Sequence, residues 1–284
     1  MRPILRRPGR SLALPELPEV ETVRRDLAAT LAGVLVSAVS VTGLRSTRRH
    51  PTAASFSAAL AGRRLVGFER RGKYLLVILE PAAVLVVHLR MSGQLRLAAG
   101  PDVPLAKHSH VVIDLDDGRQ LRFVDPRTFG ELFVTTPDVP ELAQLGVDAL
   151  AVTQPELTRL LAGRRARIKV ALSDQRIIAG IGNIYSDEIL WTAGVRGTRP
   201  AGALRPVEIG RLHGAIGAVL GAAVESRGSS LRDQQYVDLG GLTGSYQERH
   251  AVYGREGLPC PRCGRPIRRI VVAQRSHFWC RCCR

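Results

Sequence analysis

Cys260-Pro-Arg-Cys263 and Cys280-Arg-Cys-Cys283 are separated by 16 residues. Each pair puts two thiolates on one tight turn, and two such turns close the tetrahedral sulfur cage that zinc prefers. Gly264 relaxes the first turn, and Ile270-Val271-Val272 reads as a strand between the knuckles. The spacing takes Cys283 as the fourth ligand and leaves Cys282 as the odd thiol. Four ligands leave no open position, so the expectation is one structural zinc per chain and no organic cofactor. From Gly254 onward the chain carries eight Arg and one Glu, a composition suited to gripping phosphates; a ribbon that binds protein is the alternative at this point. A second group is Gly180-Ile181-Gly182-Asn183 before a predicted helix, where Asn183 and backbone N–H groups are placed to meet a phosphate.

The elements that must position these groups follow from patterning. All five cysteines lie in the last 25 residues, which favours a metal site in a reducing cytosol over a disulfide framework. Lys and Arg total 41 against 25 Asp and Glu, for a net charge of +16, and this surplus favours a polyanionic partner. No apolar run approaches the roughly 18 residues of a membrane span. Residues 1–14 carry four Arg and no acid, without periodicity, and are read as disordered or absent from the mature protein. Pro18, Glu19 and Glu21 then open a helix with Val20, Val23, Leu27 and Leu31 on one stripe. From about Leu35 to Thr136 the texture is β, with short runs at 65–70, 74–79, 84–89, 110–115, 120–124 and 132–135 that suit a sandwich or barrel. From Pro155 it is helical, at 155–161, 168–172, 184–191 and 207–224, so a domain boundary is expected within 138–155.

Pro15-Glu16-Leu17-Pro18-Glu19-Val20-Glu21-Thr22-Val23 resembles the mature N-terminus of bacterial formamidopyrimidine-DNA glycosylases. Arg71-Gly72-Lys73-Tyr74, His88-Leu89-Arg90-Met91-Ser92-Gly93, Asp125-Pro126-Arg127-Thr128-Phe129-Gly130, Gly180–Tyr185 and the cysteine module with Gln274-Arg275 resemble further motifs of that family, in order across residues 15–284. The resemblance implies an α+β fold: an N-terminal β-sandwich (15–140), a helix–two-turn–helix domain with a lesion-recognition loop (141–250) and a zinc β-hairpin finger (251–284). It also implies a repair enzyme that excises oxidised purines from duplex DNA and cleaves at the abasic site.

By the same resemblance Pro15 is the nucleophile, its secondary amine attacking the sugar C1′. Glu16 is the acid/base group, Lys73 contacts phosphate and assists elimination, and Arg275 holds the phosphates that flank the lesion. Met91, Arg127 and Phe129 fill the gap left by the flipped nucleotide, while His108, Arg164, Lys169 and Asn183 contact the backbone. Glu188 is given a structural or lesion-side role, and the Gly-containing stretch 229–246 is the mobile loop. The implied partner is damaged double-stranded DNA, bound by a monomer in the cytoplasm with no membrane association. The chain departs from the family in three respects, one being that Leu145-Gly146-Val147-Asp148 lacks the Pro-rich boundary motif often seen there. Pro15 is not terminal, so its nitrogen is an amide until the residues before it are absent, for which a start at the Leu14 codon is the expected route. Thr128 also stands where a second basic residue is usual. Two alternatives stay open: an endonuclease VIII-like glycosylase for oxidised pyrimidines, and a zinc-containing damaged-DNA-binding protein without catalysis.

Overall fold

A computed structural model describes residues 15–231 and 236–283. The segment 1–14 and part of the expected lesion-recognition loop lie outside these residues. Helix α1 (Leu17–Leu31) starts where expected, with Pro18 in its first turn and the Glu19 carboxylate accepting the Glu16 backbone N–H at 2.8 Å. Its stripe Val20, Val23, Leu27 and Leu31 is buried.

Strands β1 (Val36–Val41), β2 (Arg64–Arg71), β3 (Tyr74–Glu80), β4 (Ala83–His88), β5 (Gln94–Ala98), β6 (Ser109–Leu115), β7 (Gln120–Val124) and β8 (Glu131–Thr135) form two antiparallel four-stranded sheets. Their orders are β2-β3-β4-β8 and β1-β6-β7-β5. Alternate residues share a face. Leu75, Val77 and Leu79 of β3 therefore meet Val111, Ile113, Leu121 and Phe123 of the opposite sheet in one core, with the α1 stripe at its edge. Leu76, Val84 and Val86 point the other way and join Phe133 and Val139 in a smaller outer cluster. One element interrupts the β texture: helix α2 (Ala53–Leu60), capped by Thr52 Oγ1 accepting the Ser55 N–H at 3.0 Å and anchored by buried Phe56 and Leu60. Four alanines and a Thr-x-x-Ser cap outweigh the surrounding strand pattern.

The second half holds β9 (Val147–Asp148) paired in parallel with β10 (Ile178–Ala179), and helices α3 (Gln154–Leu161), α4 (Ile168–Ser173), α5 (Asn183–Ala193) and α6 (Pro206–Glu225). The hairpin β11 (Arg268–Val272) and β12 (Arg275–Trp279) closes the chain. Cys260, Ile267, Phe278 and Cys280 share a core with the helices, so the cysteine module is packed onto them rather than tethered. α6 corrects the expectation about apolar runs: it is long and apolar enough by composition to cross a membrane. It is a core helix, with Leu212, Ile216, Leu220 and Ala223 buried in the same cluster.

Two features stitch the halves together. Leu17 of α1 lies in the helical core. Asp148 of β9 accepts hydrogen bonds from the Arg70 guanidinium at 2.6 and 3.1 Å and from the Gly72 N–H at 3.1 Å, which fixes the β2–β3 turn.

Candidate active site

A helix begins with unpaired N–H groups, and at α5 these are met from the other half of the molecule. The buried Glu16 carboxylate accepts hydrogen bonds from Gly182 N at 2.6 Å, Ile184 N at 2.9 Å and Tyr185 N at 3.4 Å. The Leu17 N–H donates to Gly180 O at 3.1 Å. The approach is close enough to require both glycines. A methyl on Gly182 would stand 2.4 Å from Glu16 Oε1 and 2.6 Å from Lys73 Nζ, and one on Gly180, at φ +111°, 2.4 Å from Leu17 Cδ1. This narrows the phosphate-loop reading of Gly180–Asn183, because the Gly182 N–H already serves Glu16 and the Gly180 N–H donates to Gln175 Oε1 at 2.8 Å. The Asn183 side chain is half-buried, and its Oδ1 has no partner among the described residues.

The same contacts bring Lys73 to Glu16. Lys73 leads out of the β2–β3 turn, whose Gly72 has φ +58°. Desolvation lowers its ammonium pKa, the Glu16 charge opposes that shift, and Arg275 adds to it. Pro15 is buried beside Glu16. Pro15, Glu16, Lys73 and Arg275 are thus contributed by the chain segment before α1, a sandwich turn and the terminal hairpin. Behind them Glu19 accepts the Tyr185 hydroxyl at 2.5 Å and the Ser229 N–H at 2.7 Å. Burial nevertheless raises its pKa to about 7.

Lys169 is not placed as expected. It is buried, and its ammonium donates to Asn183 O at 3.0 Å, Ser186 Oγ at 2.9 Å and Asp187 Oδ1 at 2.7 Å. An ammonium has three donors, so none is left for a phosphate. The physical reason is Asp187: with no exposed surface, it must be paired, and it also binds His277 Nδ1 at 2.5 Å and Phe278 N at 3.0 Å. Lys169 therefore holds the hairpin through Asp187. The sequence reading missed this pair and that of Asp148 with Arg70, since both join residues remote in the chain. Glu188 has the structural role of its two options. Its carboxylate gathers the N–H groups of Ala251, Val252 and Tyr253 at 2.8, 3.0 and 2.8 Å.

The Sγ atoms of Cys260, Cys263, Cys280 and Cys283 lie within 4.8 Å of one another. The pairs Cys260–Cys283 and Cys263–Cys280 are 3.8 and 3.4 Å apart. Tetrahedral zinc with bonds near 2.3 Å needs sulfur separations of about 3.8 Å, so the set fits the ion, and Cys282 stands outside it, exposed. The hairpin beyond turns through Ala273 (φ 47°) and Gln274 (φ 64°), which leaves Arg275 exposed at its tip.

The remaining expected DNA contacts, apart from Arg164, lie on sandwich loops. Phe129 is 38% exposed, with the Arg127 guanidinium carbon 5.0 Å from its ring centre. Met91 is half-buried. Buried Asp125 joins their loops: it accepts Ser92 Oγ at 2.5 Å, Arg127 N at 3.1 Å and Gly130 N at 2.7 Å. His108 is exposed, and its carbonyl accepts the Asp125 N–H at 3.0 Å. Arg164 is exposed on the loop after α3, remote in sequence from every other predicted site residue except Lys169 and Asn183.

Comparison with known proteins matches this arrangement along most of the chain. The profile of the formamidopyrimidine-DNA glycosylase N-terminal domain covers residues 14–132, that of the family's H2TH domain 145–235, and that of the zinc finger found in FPG and IleRS 257–284. The chain belongs to the formamidopyrimidine-DNA glycosylase family. It is 48% identical over 265 residues to the formamidopyrimidine-DNA glycosylase of Moorella thermoacetica, covering 90% of this chain and 94% of that protein. Among solved structures of this glycosylase family, the MutM (Fpg) protein of Thermus thermophilus superposes with a TM-score of 0.84 at 42% identity, covering 95% of this chain and 98% of that one. Lactococcus lactis Fpg in complex with abasic-site DNA superposes at 0.87 and 34% identity, covering 95% and 99%. The same enzyme bound to N7-benzyl-Fapy-dG DNA gives the same values.

Proposed function

We propose that the chain is a base-excision repair glycosylase that removes oxidised purines, 8-oxoguanine and formamidopyrimidines, from duplex DNA and then cleaves the strand as an abasic-site lyase. The observation that carries this reading is the convergence of Glu16 and Lys73 on Gly182 beside Pro15. With residues 1–14 absent, Pro15 N is a secondary amine. Its lone pair forms a bond to C1′ as the bond from C1′ to the base breaks, and the base leaves with a proton. Glu16 delivers a proton to the deoxyribose ring oxygen, opening the ring to an iminium. The carboxylate has about four acceptor sites, and three are filled by the N–H groups of Gly182 and the first turn of α5, which leaves one for proton transfer. The iminium then accepts electrons as the C2′ proton is lost and the 3′ phosphate is expelled; elimination on the 5′ side follows. Lys73 and Arg275 hold the phosphates that leave.

Lys169 we assign to holding Asp187 and His277. Met91, Arg127 and Phe129 we assign to the helix vacancy, and His108, Arg164 and the Asn183 side chain to the backbone. The boundaries 15–140, 141–250 and 251–284 are the proposed division of labour. The zinc is structural, and the enzyme acts as a single chain on DNA in the bacterial cytoplasm; we further propose association with the nucleoid. A panel of duplexes carrying 8-oxoguanine, formamidopyrimidine or oxidised pyrimidines tests the reading. Excision of the purine lesions, by protein whose intact mass shows Pro15 at its terminus, is expected. Preferential excision of pyrimidines would overturn the substrate assignment, and tight abasic-site binding without excision would overturn the enzyme.

A further inference from the structure

At the base of the zinc hairpin, at the opposite end of β12 from Arg275, lies a cavity of about 510 Å³ lined by Arg196, Arg199, Arg268, Trp279 and Arg281. No acidic residue lines it. Arg199 is committed, donating to Glu208 and the Ala203 carbonyl, each at 2.6 Å. The side chains of Arg196, Arg268 and Arg281 form no hydrogen bond or ion pair among the described residues, and Arg196 lies over the Trp279 ring, 5.6 Å from its centre. The Trp279 indole N–H is enclosed and has no acceptor among the described residues. Three unpaired guanidinium groups around one cavity repel one another, and an anion relieves that repulsion. Guanidinium forks suit phosphate oxygens, and an aromatic floor suits the apolar side of a sugar or base.

We propose that this cavity is a second phosphate site, which takes a backbone phosphodiester of the bound DNA several nucleotides from the lesion. The inference rests on the glycosylase reading for its substrate. Arg275 and Trp279 are four residues apart on one strand and point to the same face. At about 3.3 Å per residue the cavity stands some 13 Å from Arg275. One DNA strand advances about 3.4 Å per nucleotide, so the phosphate engaged is about four nucleotides beyond the one held by Arg275. Between them His277 is buried on Asp187, and the further basic surface lies beside the cavity. The exposed loop with Arg164, Arg165 and Arg167 is bridged through Arg167 to Pro200, next to Arg199.

The test is the salt dependence of binding to two lesion duplexes, one extending about ten base pairs on each side of the lesion and one only about three, so that only the longer spans the roughly four nucleotides to the cavity. For Arg196→Gln/Arg268→Gln, affinity for the long duplex falls about tenfold and the slope of log K against log salt falls by about 1, the loss of one phosphate contact. Binding to the short duplex and zinc content stay as in the parent. Equal loss on both duplexes, or loss on neither, overturns the site. Mononucleotide binding to the cavity with an unchanged DNA salt slope overturns the DNA assignment in favour of a free phosphate. Binding is read without turnover, so failure of excision leaves this test intact.

Discussion

The junction proposed for catalysis and the sandwich loops are built in opposite ways. At the junction the polar groups are spent on the protein itself: Glu16 caps α5, and Lys169, Asp187 and His277 saturate one another. Side chains are removed where they would intrude, at Gly180 and Gly182. The loops with Met91, Arg127 and Phe129 instead turn side chains outward and carry their strain in the backbone. Arg90, His108 and Thr128 all have positive φ, and so do Ala273 and Gln274 ahead of Arg275. Of the non-glycine residues with positive φ among the described residues, Arg90, His108, Thr128 and Gln274 are or adjoin residues assigned to DNA, Ala273 stands two residues before Arg275, and Arg227 has no such neighbour. Left-handed backbone at such residues costs energy and persists where the surroundings impose it. Atoms that react must be held still, whereas groups that search a duplex must protrude from a fixed base. Both regions use one device, a buried carboxylate gathering backbone N–H groups: Glu16 at the junction and Asp125 under the loops.

The largest break in this comparison is Glu16→Gln. An amide at this position sets an NH₂ against the α5 donors and removes the proton carrier. Excision falls by about 10²–10⁴-fold, and stability falls by about 1–3 kcal/mol, read by single-turnover kinetics and thermal melting. Retained excision would show that Glu16 is only a cap. Next comes Cys263→Ser, which opens the zinc cage. Duplex binding is lost and the helical melting transition drops, because Cys260 and Cys280 lie in the helical core, while the sandwich keeps its own transition. A single unshifted melt would sever the link between cage and core. Asp125→Ala frees both sandwich loops at once. It lowers excision about tenfold and stability by about 1–3 kcal/mol, whereas Phe129→Ala lowers excision by a similar factor with stability within about 0.5 kcal/mol. If Phe129→Ala destabilised as much as Asp125→Ala, the outward-facing role would fail.

The smallest effect is a pH dependence at Glu19. Its folded pKa of about 7 lies above the ordinary value of 4.5 because burial penalises the charge. Its contribution to stability is therefore fully present below about pH 4.5 and is lost as pH rises through 7. The stability difference between the parent and Glu19→Gln shrinks across that window and levels above it; a constant difference would contradict the raised pKa.

Much of this was legible in the sequence, for identifiable reasons. The cage followed from cysteine spacing, α1 from Pro18 and its apolar stripe, and the sandwich strands from alternation such as Leu75, Val77 and Leu79. Helix α2 was hidden because a short Ala-rich stretch between strands has no long-range period. Lys169 was misplaced because nothing in the sequence around it reveals the buried aspartate, 18 residues away, that consumes its charge. The Gly180–Gly182 turn looked like a phosphate loop for a sound reason: Gly182 and the first turn of α5 do present N–H groups to an anion, but that anion is the protein's own Glu16.

The most direct test is borohydride trapping on 8-oxoguanine duplex DNA, followed by mass mapping of the residue bound to DNA. Reduction of the Schiff base is expected to leave the adduct on the nitrogen of Pro15 at a new chain terminus. An adduct on Lys73, or none under conditions where the base is excised, would contradict the proline nucleophile.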